Sequence, residues 1–282
     1  MSILRVVSVH GVSTDIIPIK KDYALALEQN LVQHLTKLKV IPDHADQSQI
    51  DQIITFDQVN YSDIGAPQRQ RVYDSYRTEA ARLENLLDKA LDAVVIDQLR
   101  KLVIGAGGNV LIYQSSYWKE TIRQRVVEKI TPYIQTDGAI TLIGHSLGSV
   151  VGFDVAYYNP WNNPDWQAQN FYLSNLFTLG SPIAIFTFDL QDTDGQPKTR
   201  FTNPPNMKLV REGGVWYNFF DAQDVLGYPL EKLYPNQVSD FLVQTGTWPL
   251  TAHTHYWWND EVAAQIATRL KLDYERITGQ KV

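Results

Sequence analysis

Hydrophobic positions along the chain fall into two patterns, short apolar runs bounded by turn residues and longer stretches with apolar residues three and four apart. The first pattern predicts strands and the second helices. Leu4 to Val9 (LRVVSV) reads as a buried strand ending at His10–Gly11. Leu27, Leu31, Leu35 and Leu38 then mark one face of a helix, with Asp22 as its expected cap. Ile53 to Tyr61 is the next extended segment. Leu83, Leu87, Leu91, Val94 and Leu102 predict a helical insertion over about 67–104, ended by Gly105, Gly107 and Gly108. It reads equally well as a lid and as a structural layer. Val110 to Tyr113 is a short strand, and Ile122, Val126 and Ile130 lie on a helix that Pro132 closes. Ala139 to Ile143 (AITLI) is a compact apolar strand with a helix through Leu147, Val151 and Val155 directly behind it. Asn175 to Leu179 and Val215 to Phe220 are further strands, and a last helix runs from near Asn259 through Val262, Ile266 and Leu270.

Strands that alternate with helices imply a parallel sheet covered by helical layers. With 282 residues, 44% of them hydrophobic, the chain can bury one large core, and 1–282 reads as a single domain. Two polar stretches, Tyr157 to Tyr172 and Asp189 to Asn206, are expected as rim loops or plain connections.

Composition removes several function classes. Without cysteine there is no disulfide, thiolate nucleophile or cysteine-bound zinc. A net charge of −6 with no run of Lys or Arg speaks against nucleic acid. No apolar stretch reaches the roughly 18 residues of a membrane span, and no hydrophobic leader follows a basic start. A soluble cytoplasmic protein is therefore the expectation, with peripheral lipid contact left open and the oligomeric state unread. Gly105 to Gly108 follows a helix and lacks the Lys–Ser/Thr of a phosphate loop. Asp192, Asp194 and Gly195 lack the other ligand positions of a calcium loop. No metal and no cofactor are expected.

Gly144-His145-Ser146-Leu147-Gly148 is the segment that carries chemistry. It is G-x-S-x-G, with a strand before it and a helix after it. That context lifts a serine hydroxyl above the sheet edge on a sharp turn. The two glycines let strand and helix approach each other, and the Leu147 N–H, at the start of the helix, aims at a developing oxyanion. A serine hydroxyl needs a base and the base an orienting carboxylate. Of six histidines, His10, His34, His44 and His145 belong to other places, which leaves His253 and His255 ahead of the last helix.

Together Gly-His-Ser-Leu-Gly, His10–Gly11 after the first strand, and Leu179-Gly180-Ser181-Pro182 resemble the lipase/esterase branch of the α/β-hydrolase superfamily. Trp216 to Val225 (WYNFFDAQDV) is similar to that family's acid-bearing strand end, and His253-Thr-His255-Tyr256-Trp257 to its H-x-x-Y-W block. The resemblance implies a three-layer α/β-hydrolase fold with a mostly parallel central sheet flanked by helices. It also implies cleavage of a small-molecule or lipid carboxylic ester through an acyl-enzyme. Carried over by position, Ser146 is the nucleophile, His253 the base and Asp224 the acid. Asp224 is preferred to Asp221 because it directly precedes Val225. Val12, after His10–Gly11, is the implied second oxyanion donor beside Leu147. His10, Gly11, His145, His255 and Trp257 are candidates for contact with substrate. Trp161, Trp166, Phe186, Phe188, Trp248 and Trp258 are further aromatics for a pocket or rim. An acyltransferase, an amidase or a non-catalytic module of the same fold are the competing readings.

Overall fold

In a computed structural model of the chain, residues 3–11, 22–67, 71, 113, 116–187 and 208–282 are described below. They belong to two compact units. One comprises Met1–Gly11, Asp22–Val59 and Val126–Val282, and the other Val12–Lys21 and Asn60–Arg125.

In chain order the helices and strands are β1 (Leu4–Val9), α1 (Leu25–Lys37), α2 (Gln47–Ile53), β2 (Ile54–Val59), α3 (Ser116–Ile130), β3 (Ala139–His145), α4 (Leu147–Asn162), α5 (Pro164–Ala168), β4 (Leu173–Leu179), β5 (Val210–Phe220), β6 (Ser239–Leu242), α6 (Pro249–Thr254) and α7 (Asp260–Thr278). Short 3-10 turns cover Thr131–Tyr133, Ile185–Thr187 and His255–Trp258. The strands form one six-stranded sheet in the order β2-β1-β3-β4-β5-β6, with every described pairing parallel.

The two sides of the sheet can be told apart from its register. Thr141 pairs with Asn175 and Leu142 with Leu176, and successive residues point to opposite faces. Asn175 hydrogen-bonds Asp273 on α7, while Leu142 and Leu176 lie against Gly152 of α4. Helices α4 and α7 therefore cover opposite faces, and α1 packs beside α7. Strands β3 and β4 are buried along their whole length, as strands covered on both sides must be. This is the three-layer α/β-hydrolase architecture, with an elbow at the carboxyl end of a central strand.

Differences from the predicted elements have local causes. The α1 stripe buries Leu27, Leu31 and Leu35, but the N-cap is Ala24 with no side-chain cap, and Leu38 is the C-cap. Asp22 contributes only its backbone carbonyl, to Leu25 N–H at 3.2 Å. Strand β5 begins at Val210, five residues earlier than its apolar run. The register shifts between Leu173 and Asn175 so that polar Arg211 to Gly214 bulge out, which interrupts the pattern. Tyr113, expected at the end of a strand, is helical and buried; the rest of that expected strand, residues 110–112, lies outside the described residues. The insertion expected over about 67–104 and the stretch Asp189 to Asn206 lie almost wholly outside the described residues.

Candidate active site

Strand β3 ends at His145 and α4 starts at Leu147, so Ser146 alone must turn the chain. It does so at φ 53°, ψ −127°, a conformation an L residue rarely adopts. Its N–H donates to the Leu179 carbonyl at the end of β4 (2.9 Å), which holds the strained turn against the sheet. The flanking glycines are required by contact. A Cβ at Gly144 would lie 2.4 Å from the Gly148 carbonyl oxygen, and one at Gly148 would lie 2.3 Å from that of Val9. Gly11 faces the serine itself; a Cβ there would stand 2.5 Å from Ser146 Cβ.

Three distant segments meet at this turn. Ser146 Oγ lies 2.9 Å from His253 Nε2, and His253 Nδ1 lies 2.9 and 3.0 Å from the two carboxylate oxygens of Asp224. All three residues are buried. A carboxylate only accepts, so Nδ1 carries the ring proton and Nε2 presents its lone pair to the serine hydroxyl. Asp224 also accepts from the Leu226 N–H (2.9 Å) and the Tyr256 hydroxyl (2.9 Å). Burial alone would raise this carboxyl. The hydrogen bond and charge of His253, with the Leu226 and Tyr256 donors, outweigh burial and hold it below the usual carboxylate range.

Asp221 does different work. Its carboxylate accepts from Gln223 N–H (2.8 Å), Thr245 N–H (2.6 Å), Thr245 Oγ1 (2.8 Å) and Gly246 N–H (3.3 Å). Thr245 Oγ1 is also 2.6 Å from the Ala252 carbonyl. Asp221 thus clamps the segment that leads into α6, the helix whose last turn carries His253. Burial pushes its carboxyl up, and the donors of Gln223, Thr245 and Gly246 pull it lower than the ordinary value.

His253 rather than His255 reaches Ser146 because the chain is helical here. Residues three apart share a face, so His253 and Tyr256 both point inward, while His255 is exposed with its ring against Trp258. His145 is buried with its ring 5.0 Å from that of His253 and 5.6 Å from that of Trp257. Its Nε2–H donates to the His253 carbonyl at 2.6 Å. Burial, then the charge of His253, pulls His145 down to about 3, so it works as a neutral donor. His10 is buried and places Nδ1 2.6 Å from the Gly11 carbonyl. Trp257 is buried between His145 and Tyr23. Trp166 and Phe186 are buried as well, whereas Trp248 and Trp258 are exposed. Val12 and Phe188 lie outside the described residues.

Sequence reasoning had paired His253 with its acid but had not seen Tyr256, Thr245 or His145 as supports. The spacing of Tyr256, three residues after His253, favours His253 over His255 in the sequence, whereas its hydroxyl contact to Asp224 shows only in the structure. Nothing marked Thr245.

Chemically, the site is a buried hydroxyl–imidazole–carboxylate chain at the N-terminus of a 16-residue helix. The N-terminal end of a helix favours negative charge, and there the Ser149 N–H donates to the Ser146 carbonyl (2.9 Å). Among the described residues no cluster of His, Asp or Glu could hold a metal, and no helix is long and apolar enough to cross a membrane.

No protein-family profile matches the chain. Over 183 residues it is 26% identical to a probable mitochondrial phospholipase of Saccharomyces cerevisiae, covering 59% of this chain and 25% of that protein. Over 163 residues it is 26% identical to a probable mitochondrial phospholipase of Schizosaccharomyces pombe, covering 50% and 21%. The chain thus spans about a quarter of the length of these curated relatives, and their compartment lends no support to a cytoplasmic location. Among solved structures, a Rhizomucor miehei esterase is similar at 11% identity and TM-score 0.46, covering 98% of this chain and 76% of that one. A pyrethroid hydrolase of Sphingobium faniae is similar at 9% identity and TM-score 0.42, covering 98% and 99%. Both curated relatives are named as probable phospholipases, and the chain is similar to them over part of its length.

Proposed function

We propose that this protein is a serine hydrolase of carboxylic esters. The observation that carries the reading is the unbroken chain from Ser146 Oγ through His253 to Asp224 at the strained turn. As Ser146 Oγ attacks the acyl carbonyl carbon, its proton passes to His253 Nε2, and Asp224 stabilises the imidazolium that forms. The carbonyl oxygen becomes an oxyanion against the Leu147 N–H. The C–O bond to the alcohol then breaks, and the alcohol leaves with the proton from Nε2. Water, deprotonated by the same nitrogen, attacks the acyl-enzyme; the C–Oγ bond breaks, the acid leaves, and Nε2 returns the proton to Ser146 Oγ. Val12 is the second oxyanion donor in this reading, and one such donor commonly supplies about 3 kcal/mol.

The substrate class follows the relatives, so glycerophospholipid esters head the assay panel, beside p-nitrophenyl esters of increasing chain length. A fluorophosphonate probe should label the wild type covalently, and Ser146→Ala should abolish both labelling and turnover. A wild type that neither labels nor hydrolyses any ester overturns the reading. Labelling that survives Ser146→Ala moves the nucleophile elsewhere. Transfer of the acyl group to an added alcohol in preference to water would make the enzyme an acyltransferase on the same three residues.

A further inference from the structure

Tyr256 stands at the junction of the two aspartates. Its hydroxyl oxygen accepts from the Asp221 backbone N–H (2.8 Å) and its proton goes to Asp224 Oδ2 (2.9 Å). The ring is fully buried. The surrounding backbone leaves room for this contact and little else. Gly180, at φ 53°, would place a Cβ 2.7 Å from Tyr256 Cε2 and 2.8 Å from Asp224 Oδ2. A Cβ at Gly227 would come within 2.5 Å of the same oxygen. Two glycines therefore border the carboxylate oxygen that Tyr256 contacts, and a phenylalanine ring would fill the site without the hydroxyl. Burial, and then the charge of Asp224, pushes the phenol well above its ordinary value, so it remains a donor.

We infer that Tyr256 is a positioning residue of the proposed reaction, which tunes the base by holding one oxygen of its carboxylate partner. The inference rests on the serine-hydrolase reading. A donor on Oδ2 draws charge from the carboxylate and fixes its plane against His253 Nδ1. Loss of that donor leaves a more basic carboxylate, which binds the protonated imidazole more tightly. The base then needs a higher pH to become free. The other titratable groups around the pair are His145 from β3, His10 from the end of β1 and Asp221 from the end of β5. Removing the Tyr256 oxygen also takes the acceptor from the Asp221 N–H, so the rate is read per folded molecule.

The test is the rate of fluorophosphonate labelling as a function of pH, which requires no knowledge of the substrate. For Tyr256→Phe the rate per folded molecule should fall about tenfold, the loss expected for a hydrogen bond to a charged group. The acid limb should move up by about half a pH unit. On an Asp224→Asn background the same substitution should have little further effect, because its partner is already gone. Site-specific 3-fluorotyrosine at 256 keeps the ring, strengthens the donor and should move the limb down; it decides the matter if Tyr256→Phe does not fold. A limb that stays put in both variants, with rate loss tracking only the folded fraction, overturns the inference and leaves the hydrolase reading standing. Absence of labelling in the wild type overturns both.

Discussion

The carboxylates of Asp221 and Asp224 stand three residues apart and receive different donors, and substitution separates them. Asp224→Asn keeps the shape but presents an amide N–H or an uncharged acceptor to Nδ1, so kcat should drop on the order of 10⁴-fold, far more than any loss of folded protein accounts for. Asp221→Asn turns one of the two acceptor oxygens into an NH2 group, so either the Gln223 donor or the three donors of Thr245 and Gly246 lose their acceptor at the root of the His253 segment. It should cost about 1–3 kcal/mol of stability and reduce activity through lost geometry, with Tm and activity falling together. A calorimetric scan beside a rate assay checks the contrast. Both carboxyls sit below the unfolded value of 3.8. A depressed carboxyl contributes stability above its unfolded value and loses it as pH falls through the folded one. Thermal stability should therefore decline below pH about 4, and Asp221→Asn should flatten that decline. A wild type equally stable across that window would contradict the assignment.

At the scale of elements, the elbow joins β3 to α4 with no spare space and a strained residue. Ser146→Gly removes the strain, which costs of order 1–3 kcal/mol for such backbone, against about 0.5–1 kcal/mol of added chain entropy. It should be roughly 1 kcal/mol more stable than Ser146→Ala, and both should be inactive. Equal denaturation midpoints for the two would show that the turn is not strained. Gly148→Ala places a Cβ 2.3 Å from the Val9 oxygen and 2.4 Å from the His10 oxygen, both backbone atoms that cannot swing aside. Helix α4 would have to move off β1, at about 1–3 kcal/mol or more, taking the Leu147 N–H with it. Circular dichroism melting and probe labelling should both register the change.

Across the whole sheet, α7 is pinned by charge as well as by its apolar face. Asp273 is fully buried and accepts from Asn175 Nδ2 (2.7 Å) and Arg269 Nη2 (3.0 Å), with Arg276 also bonded and Arg211 at 3.6 Å. Arg269 reaches further to Asn175 Oδ1 and the Gly213 carbonyl. One carboxylate therefore ties α7 to β4 and to the bulge of β5. Asp273→Ala leaves three guanidinium groups without it and should cost about 3–5 kcal/mol, read as the urea midpoint. The labelling rate per folded molecule should be unaffected. A small loss would mean that the apolar stripe of Val262, Ile266 and Leu270 holds α7 by itself.

Sequence by itself determined the layered α/β class, the strand–serine–helix elbow and the last helix, because each is a local pattern of period, glycine and cap. It also placed His253 ahead of His255, through resemblance, and Asp224 ahead of Asp221. Tertiary structure decided what those residues touch. The polar bulge of β5, the helical turn that turns His255 outward, the clamp of Asp221 on Thr245 and the Tyr256 bridge all depend on contacts between residues far apart in the chain or on a turn whose type the pattern left open. Hydrophobic periodicity reports which side of an element is buried. It carries no information on which buried polar group will face which, and that pairing makes the site.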